Sequence, residues 1–145
     1  TLRANLTSAM FGAKYQLPEI AKRGGGSVIF TSTFVGHTIG MPGMTAYAAS
    51  KMGLLGMAQC LAVEHGGANI RVNALVPGGT DTPMAASFTS DPETRAMVER
   101  FHALGRIADP VEIAKAALFL ASDASSFVTG SAMLVDGGTS ICKAA

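Results

Sequence analysis

Tyr47 and Lys51 are the residues of this 145-residue chain whose types and spacing could do chemistry. On a helix, residues four positions apart lie on one face, with Cβ atoms roughly 5–6 Å apart. The ammonium group of Lys51 could therefore favour the ionised form of the Tyr47 phenol. Such a pair can act as an acid/base couple that gives or takes a proton. The spacing alone is weak evidence, because the same pair also occurs on solvated helices.

Strand and helix patterns alternate along the chain and place this pair at the start of a helix. The patterns predict helices at 2–22, 45–65, 92–103 and 110–122, strands at 27–31, 69–76 and 131–135, and loops at 32–44 and 80–91. The alternation predicts an α/β fold in which a parallel sheet carries helices on both faces.

Two of the predicted loops should lie at the carboxyl edge of that sheet, where Tyr47 also enters. The loops 32–44 and 77–82 each follow a predicted strand. Parallel sheets bind ligands at the carboxyl ends of their strands. We therefore expect the polar groups of these loops to converge with Tyr47 and Lys51.

The composition argues against several classes of protein. A net charge of +1, without a cluster of Lys and Arg, gives little basis for binding nucleic acid. No apolar stretch is long enough for a transmembrane helix, so we expect no membrane partner. Cys60 and Cys142 lack the spacing of a metal site, so no metal is expected and both are interpreted as structural thiols of a cytoplasmic protein.

A series of short motifs follows in order along nearly the whole chain. The motifs are Asn5, 26–33, Tyr47-Ala48-Ala49-Ser50-Lys51, 71–78, Thr82, Gly105-Arg106, 110–114, 119–123, Thr129-Gly130 and Asp136-Gly137-Gly138. In this order they resemble the C-terminal part of a short-chain dehydrogenase/reductase, of the Tyr-x-x-x-Lys type with a C-terminal Asp-Gly-Gly. The resemblance implies that 1–145 is a single partial domain, the C-terminal half of a doubly wound, Rossmann-like α/β domain.

The glycine-rich phosphate loop of that family has no counterpart in this chain. Thr1 is not an initiator methionine and already lies in a helical pattern, so we expect the chain to begin partway through an element. Roughly a hundred preceding residues would complete the domain. We therefore expect that this chain holds the catalytic and substrate side, lacks the dinucleotide-binding half, and is inactive alone.

The resemblance implies catalytic roles for Tyr47, Lys51 and Asn5. Tyr47 would be the general acid in carbonyl reduction and the general base in alcohol oxidation. Lys51 would favour the phenolate and hold the ribose hydroxyls of a nicotinamide cofactor. Asn5 would hold a water molecule that links Lys51 to solvent, unless it is only a helix-surface amide.

The hydroxyl that orients the substrate carbonyl departs from the family pattern. The family has a serine thirteen residues before the tyrosine, where this chain has Phe34. Matching from the strand side gives Thr33, with one extra loop residue, and Ser32 is its neighbour. Side chains alternate along an extended segment, so we expect one of the two to face the substrate, with Thr33 slightly favoured, and the other to bond locally.

The segment 77–82 resembles the nicotinamide side of the family's cofactor site. The resemblance implies that Tyr47 and Lys51 contact the cofactor together with Pro77, Gly78, Thr80 and Thr82, whereas Asn73 should tie backbone together. The segment 84–101 would be a substrate flap. The candidate pocket residues are His37, Met41, Met44, Met84 and Phe88. His65 and His102 are not assigned to catalysis.

The resulting hypothesis is an NAD- or NADP-dependent oxidoreductase that interconverts a small secondary alcohol and a ketone by hydride transfer. The family also implies a homodimer or homotetramer, in which the helix 45–65 meets a partner subunit. The small residues Gly53, Gly56 and Ala58 would permit close packing of that helix. Two alternatives remain: a truncated, non-catalytic dimerisation or binding module, and an isomerase or dehydratase built on the same Tyr/Lys pair.

Overall fold

The computed structural model describes residues 1–142, which form a three-stranded parallel sheet with helices packed against it. The strands, in their order across the sheet, are β1 (Gly26–Thr31), β2 (Ile70–Pro77) and β3 (Ala132–Val135). The helices are α1 (Ser8–Lys22), α2 (Thr45–His65), α3 (Pro83–Thr89), α4 (Pro92–Arg100) and α5 (Pro110–Ala121). The predicted α/β fold with a parallel, Rossmann-like sheet is confirmed.

The central strand β2 is buried along most of its length and organises the core. Val72, Ala74 and Val76 are fully buried, as expected for a parallel strand covered on both faces. Val72 and Ala74 belong to one apolar cluster with Leu17 of α1 and Leu54 of α2. The helices α1 and α2 therefore cover the same face of the sheet.

Polar side chains of β2 fasten the opposite face. The Arg71 guanidinium donates hydrogen bonds to the carbonyl of Leu120, at 2.9 Å, and to that of Ser122, at 3.0 Å. These carbonyls lie at the end of α5, where helical partners run out. The buried Asn73 amide donates to the Val128 carbonyl, at 2.8 Å, and accepts from the Ser131 N–H, at 3.0 Å. Asn73 therefore ties backbone together, as predicted.

The prediction of a loop at 80–91 is wrong, because α3 occupies most of this segment. Thr82 caps this helix by accepting a hydrogen bond from the Ala85 N–H at 3.2 Å, and Pro83 begins it. Proline is favourable at the first helical position, where the missing N–H would have no helical partner. The same signature at Asp109-Pro110, with a capping box to Glu112, correctly predicts the start of α5.

The predicted first helix is divided. Arg3–Thr7 forms a wider π-helical turn, in which the Ser8 N–H bonds the Arg3 carbonyl, and α1 follows it. Leu6 in this turn packs against Gly53, where an added Cβ would lie 2.7 Å from Leu6 Cδ2. Single π turns often mark functional sites, and this one contains Asn5.

No helix within residues 1–142 is both long and apolar enough to cross a membrane.

Candidate active site

The end of β1 and the first turns of α2 are joined by reciprocal hydrogen bonds. The Lys51 ammonium donates to the Thr31 carbonyl at 2.8 Å, and the Ser32 hydroxyl donates to the Lys51 carbonyl at 2.8 Å. The Ser32 N–H also bonds the Leu75 carbonyl of β2 at 2.8 Å. Lys51 is therefore fixed at the carboxyl edge of the sheet, where parallel sheets bind ligands.

Lys51 is partly buried, and burial lowers the pKa of its ammonium group from the ordinary 10.5. An ammonium group has three N–H donors. Because Thr31 accepts one of them, donors remain for a ligand at this edge.

Tyr47 lies in the first turn of α2, one turn before Lys51, as predicted. Its side chain is partly buried, and its hydroxyl makes no hydrogen bond within residues 1–142. Its carbonyl accepts a hydrogen bond from the buried Ser50 hydroxyl at 2.7 Å. The Tyr47 hydroxyl therefore remains able to donate and to accept hydrogen bonds.

Asn5 is connected to the helix that carries Tyr47. Its side-chain amide donates to the Ser50 hydroxyl oxygen at 3.0 Å. Asn5 is partly buried rather than a free surface amide. The structure therefore brings Asn5, Tyr47 and Lys51 into one connected region.

The two candidate hydroxyls differ in what they have left to donate. Ser32 and Thr33 are both buried, with 4% and 6% of their surface exposed. The Ser32 hydroxyl donates a hydrogen bond to the Lys51 carbonyl. The Thr33 oxygen accepts from the Val35 N–H at 3.3 Å, so that its own proton stays available. Of the two hydroxyls, that of Thr33 is therefore the one left free to donate within residues 1–142.

Main-chain bonds on both sides hold the segment 77–82. The Gly78 N–H bonds the Val135 carbonyl at 3.0 Å, and the Ala108 N–H bonds the Gly79 carbonyl at 2.8 Å. The Thr80 hydroxyl turns back to the Gly78 carbonyl at 3.1 Å. Thr82 keeps its proton to donate, because its oxygen accepts from α3.

The sequence reasoning missed His102 in this region. The ring is buried, with 5% of the residue exposed, and its Nε2 accepts a hydrogen bond from the Gly79 N–H at 3.0 Å. Its Nδ1 lies 2.9 Å from the Val98 carbonyl. No local pattern in the sequence points to this pairing, because 23 positions separate His102 from Gly79.

Three of the candidate pocket residues are exposed, and a fourth is partly buried. His37 is exposed, Met41 is 37% exposed, Met44 is partly buried, and Met84 in α3 is 76% exposed. The side chain of Phe88 lies outside the described residues. Their role in binding substrate stays a prediction.

A separate groove lies on the outer face of α1 and α2. It has a volume of about 420 Å³ and is mostly apolar. Its lining includes Met10, Leu17, Gly56, Met57 and Leu61, and none of the candidate catalytic residues. This groove is distinct from the site at the edge of the sheet.

Residues 1–140 match the protein family described as enoyl-(acyl carrier protein) reductase. Over 135 residues the chain is 43% identical to oxidoreductase UcpA of Salmonella typhimurium, covering 88% of this chain and 51% of that protein.

Two solved structures have closely similar folds. A short chain dehydrogenase/reductase family protein aligns with a TM-score of 0.88 and 35% identity, over 97% of this chain and 57% of that one. Gluconate 5-dehydrogenase from Burkholderia cenocepacia, in complex with NADP and tartrate, aligns with a TM-score of 0.92 and 27% identity, over 98% and 55%. The chain thus spans about half the length of these relatives. Its fold, its ordered motifs and these matches show that it belongs to the short-chain dehydrogenase/reductase family.

Proposed function

We propose that the natural protein containing this chain is an NAD(P)-dependent oxidoreductase. It interconverts a secondary alcohol and a ketone by hydride transfer, with Tyr47 as the acid/base group. The observation that carries the proposal is the anchored, partly buried Lys51 ammonium one helical turn after Tyr47. The relatives support the reaction class, since they are named as an oxidoreductase and a dehydrogenase.

The hydrogen-bonding groups of the chain fit a nicotinamide cofactor. Lys51 keeps donors that suit a pair of ribose hydroxyls, and Thr82 keeps a proton for the carboxamide or the pyrophosphate. Pro77, Gly78 and Thr80 are further contacts in this proposal. When bound, the cofactor would supply or accept the hydride. NADP in the gluconate 5-dehydrogenase structure supports this class of cofactor.

In this proposal the chain's own residues manage the proton and the carbonyl oxygen. Tyr47 gives its proton to that oxygen during reduction and takes it back during oxidation. Thr33 donates a hydrogen bond to the same oxygen and so fixes its orientation. Ser32 holds the main chain of Lys51, and the positive charge of Lys51 favours the phenolate.

In this proposal Asn5 supports Tyr47 and Lys51 indirectly, without contacting the reacting atoms. We propose that it holds a water molecule that connects Lys51 with solvent. The hydrogen bond that its side-chain amide donates to Ser50, in the turn between Tyr47 and Lys51, supports a role beside the pair. The proton lost from Tyr47 in each reduction would return by this route.

The chain carries only part of the proposed cofactor site. No Gly-x-Gly-x-x-Gly fingerprint is present in its sequence. We propose that 1–145 forms the catalytic and substrate half of one domain, and that a preceding segment of the natural protein binds the dinucleotide phosphates. The roughly twofold length of the relatives supports this division.

The direct test is Tyr47→Phe in the natural protein. We expect turnover to fall by about 10²–10⁴-fold while NADH or NADPH still binds, since only the proton donor is removed. Tyr15→Phe is the matched control, because Tyr15 is 67% exposed on α1 and should leave turnover unchanged. Near-normal turnover of Tyr47→Phe with a good ketone substrate would refute the acid/base role of Tyr47. An isomerase or dehydratase would differ in producing no net oxidation of NAD(P)H.

The groove on α1 and α2 favours assembly as a second function. We propose that it meets the same groove of a second copy, giving a homodimer or homotetramer. Met10, which lines the groove, is 54% exposed. A Cβ built on Gly56 would meet nothing within 4 Å beyond its own helix backbone. Exposed apolar surface of this kind is typical of interfaces. If the natural protein bound neither NADH nor NADPH, assembly through this groove would be its remaining proposed function. A location in the cytoplasm stays a prediction.

A further inference from the structure

The ring of His102 fills a space that two glycines leave open. A Cβ built on Gly79 would lie 2.8 Å from Cε1 of the ring, and one built on Gly137 would lie 3.4 Å from Cδ2. Gly79 follows β2 and Gly137 follows β3. The ring therefore sits between the turns that leave the two neighbouring strands.

The two hydrogen bonds of the ring define its protonation. The Gly79 N–H can only donate, so Nε2 must be the unprotonated acceptor of that 3.0 Å bond. The Val98 carbonyl can only accept, so Nδ1 must carry the proton in the 2.9 Å bond. Both bonds are satisfied only by the neutral ring with its proton on Nδ1.

His102 belongs to a set of bonds that fixes Gly79 completely. The N–H of Gly79 is held by the ring, and its carbonyl is held by the Ala108 N–H at 2.8 Å. Close to the ring, the Leu104 N–H bonds the Gly137 carbonyl at 3.1 Å. His102 and Ala108 therefore hold the main chain that enters Thr80 from its two sides.

We propose that His102 is a positioning residue for cofactor binding. Its neutral ring sets the main chain of Gly79 and Thr80, against which the nicotinamide end of the cofactor is held. This inference rests on the proposed function above.

The test compares His102→Leu with His102→Gln in the natural protein. Leucine keeps apolar bulk but removes the acceptor, whereas the carbonyl oxygen of glutamine can replace Nε2 as acceptor. We expect His102→Leu to weaken NADH or NADPH binding by about tenfold at pH 8, with a smaller change in kcat. We expect His102→Gln to recover most of the affinity.

Recovery by glutamine is a readout that packing alone would not produce, because both variants replace the ring and only glutamine offers an acceptor to the Gly79 N–H. Equal losses in the leucine and glutamine variants would overturn the proposal. If the unchanged protein binds neither cofactor, the proposed function fails as well, and this outcome is distinct from normal binding by both variants.

Nitrogen-15 NMR of the unchanged protein provides a check that needs no variant to fold. We expect the His102 signals of a neutral ring protonated on Nδ1 at pH 8. A neutral ring protonated on Nε2 would contradict the hydrogen bonds on which the inference rests.

Discussion

Adding one methyl group at Gly78 should displace the main chain of the proposed cofactor segment, residues 77–82. In Gly78→Ala the new Cβ would lie 2.6 Å from the Asp136 Cα, and 2.9 Å from both its Cβ and its carbonyl oxygen. Ordinary van der Waals contacts are 3.4–4 Å, and none of these atoms can rotate away. The two turns must therefore separate by about 1 Å.

The magnitude follows from the contacts that this separation strains. Overpacking costs about 1–3 kcal/mol, and weakening the 3.0 Å bond from the Gly78 N–H to the Val135 carbonyl costs about 1 kcal/mol. We expect the free energy of unfolding to fall by about 2–4 kcal/mol. A 1 Å displacement near the proposed nicotinamide site can also lower turnover by about a hundredfold.

The assay is urea denaturation of the natural protein, with cofactor affinity measured in parallel. Gly40→Ala is the matched control, because no atom lies within 4 Å of its built Cβ and its backbone is not in the left-handed region. We expect that variant to stay within about 0.5 kcal/mol of the unchanged protein. The reasoning is refuted if Gly78→Ala unfolds at the same urea concentration as Gly40→Ala and binds cofactor equally well.

Two further predictions concern the surface of the chain. The Arg106 guanidinium, followed by the Asp109 N–H, lowers the pKa of Glu112 from the ordinary 4.5 to about 2. This contribution to stability is complete above about pH 4.5 and is lost as the pH falls towards 2, so the advantage over Glu112→Gln in the free energy of unfolding should shrink across that window. An advantage that stays constant with pH would contradict the pairing. Gly56→Glu should lower the oligomeric state measured by light scattering, because it places a charge in the groove, whereas Val63→Glu on the 86% exposed side of α2 should not. Unchanged assembly of Gly56→Glu would exclude the groove as the interface.

The features that local chemistry determines could be predicted from the sequence. The apolar runs of β1 and β2 and the spacing of Tyr47 and Lys51 on α2 are confirmed. The cap at Asp109-Pro110 is confirmed for the same reason, since its bonds span only a few residues. The equivalent signature at Thr82-Pro83 lies in polar surroundings that predict a loop, although the cap by itself predicts the start of α3.

The features that depend on distant pairings could not be predicted. The choice between Ser32 and Thr33 turns on the bond from Ser32 to the Lys51 carbonyl, 19 positions away. Of the two glycines of α2, which predict close packing, Gly53 meets Leu6, whereas Gly56 opens onto the groove. The sequence shows a small residue in both cases and gives no sign of which surface it faces.

The turns after β2 and β3 form one structural unit rather than two independent motifs. Gly78 lies against the main chain of Asp136, and the ring of His102 separates Gly79 from Gly137. Gly78 and Gly79 have no room for a Cβ because of groups contributed by other parts of the chain, so a change in one turn must shift the other. Because β2 also bonds Ser32 through the Leu75 carbonyl, the same strand orients the hydroxyl that holds Lys51. The strand β2 is therefore common to the proposed acid/base pair and the proposed cofactor segment, which explains why their residues are widely separated in sequence and still share one edge of the sheet.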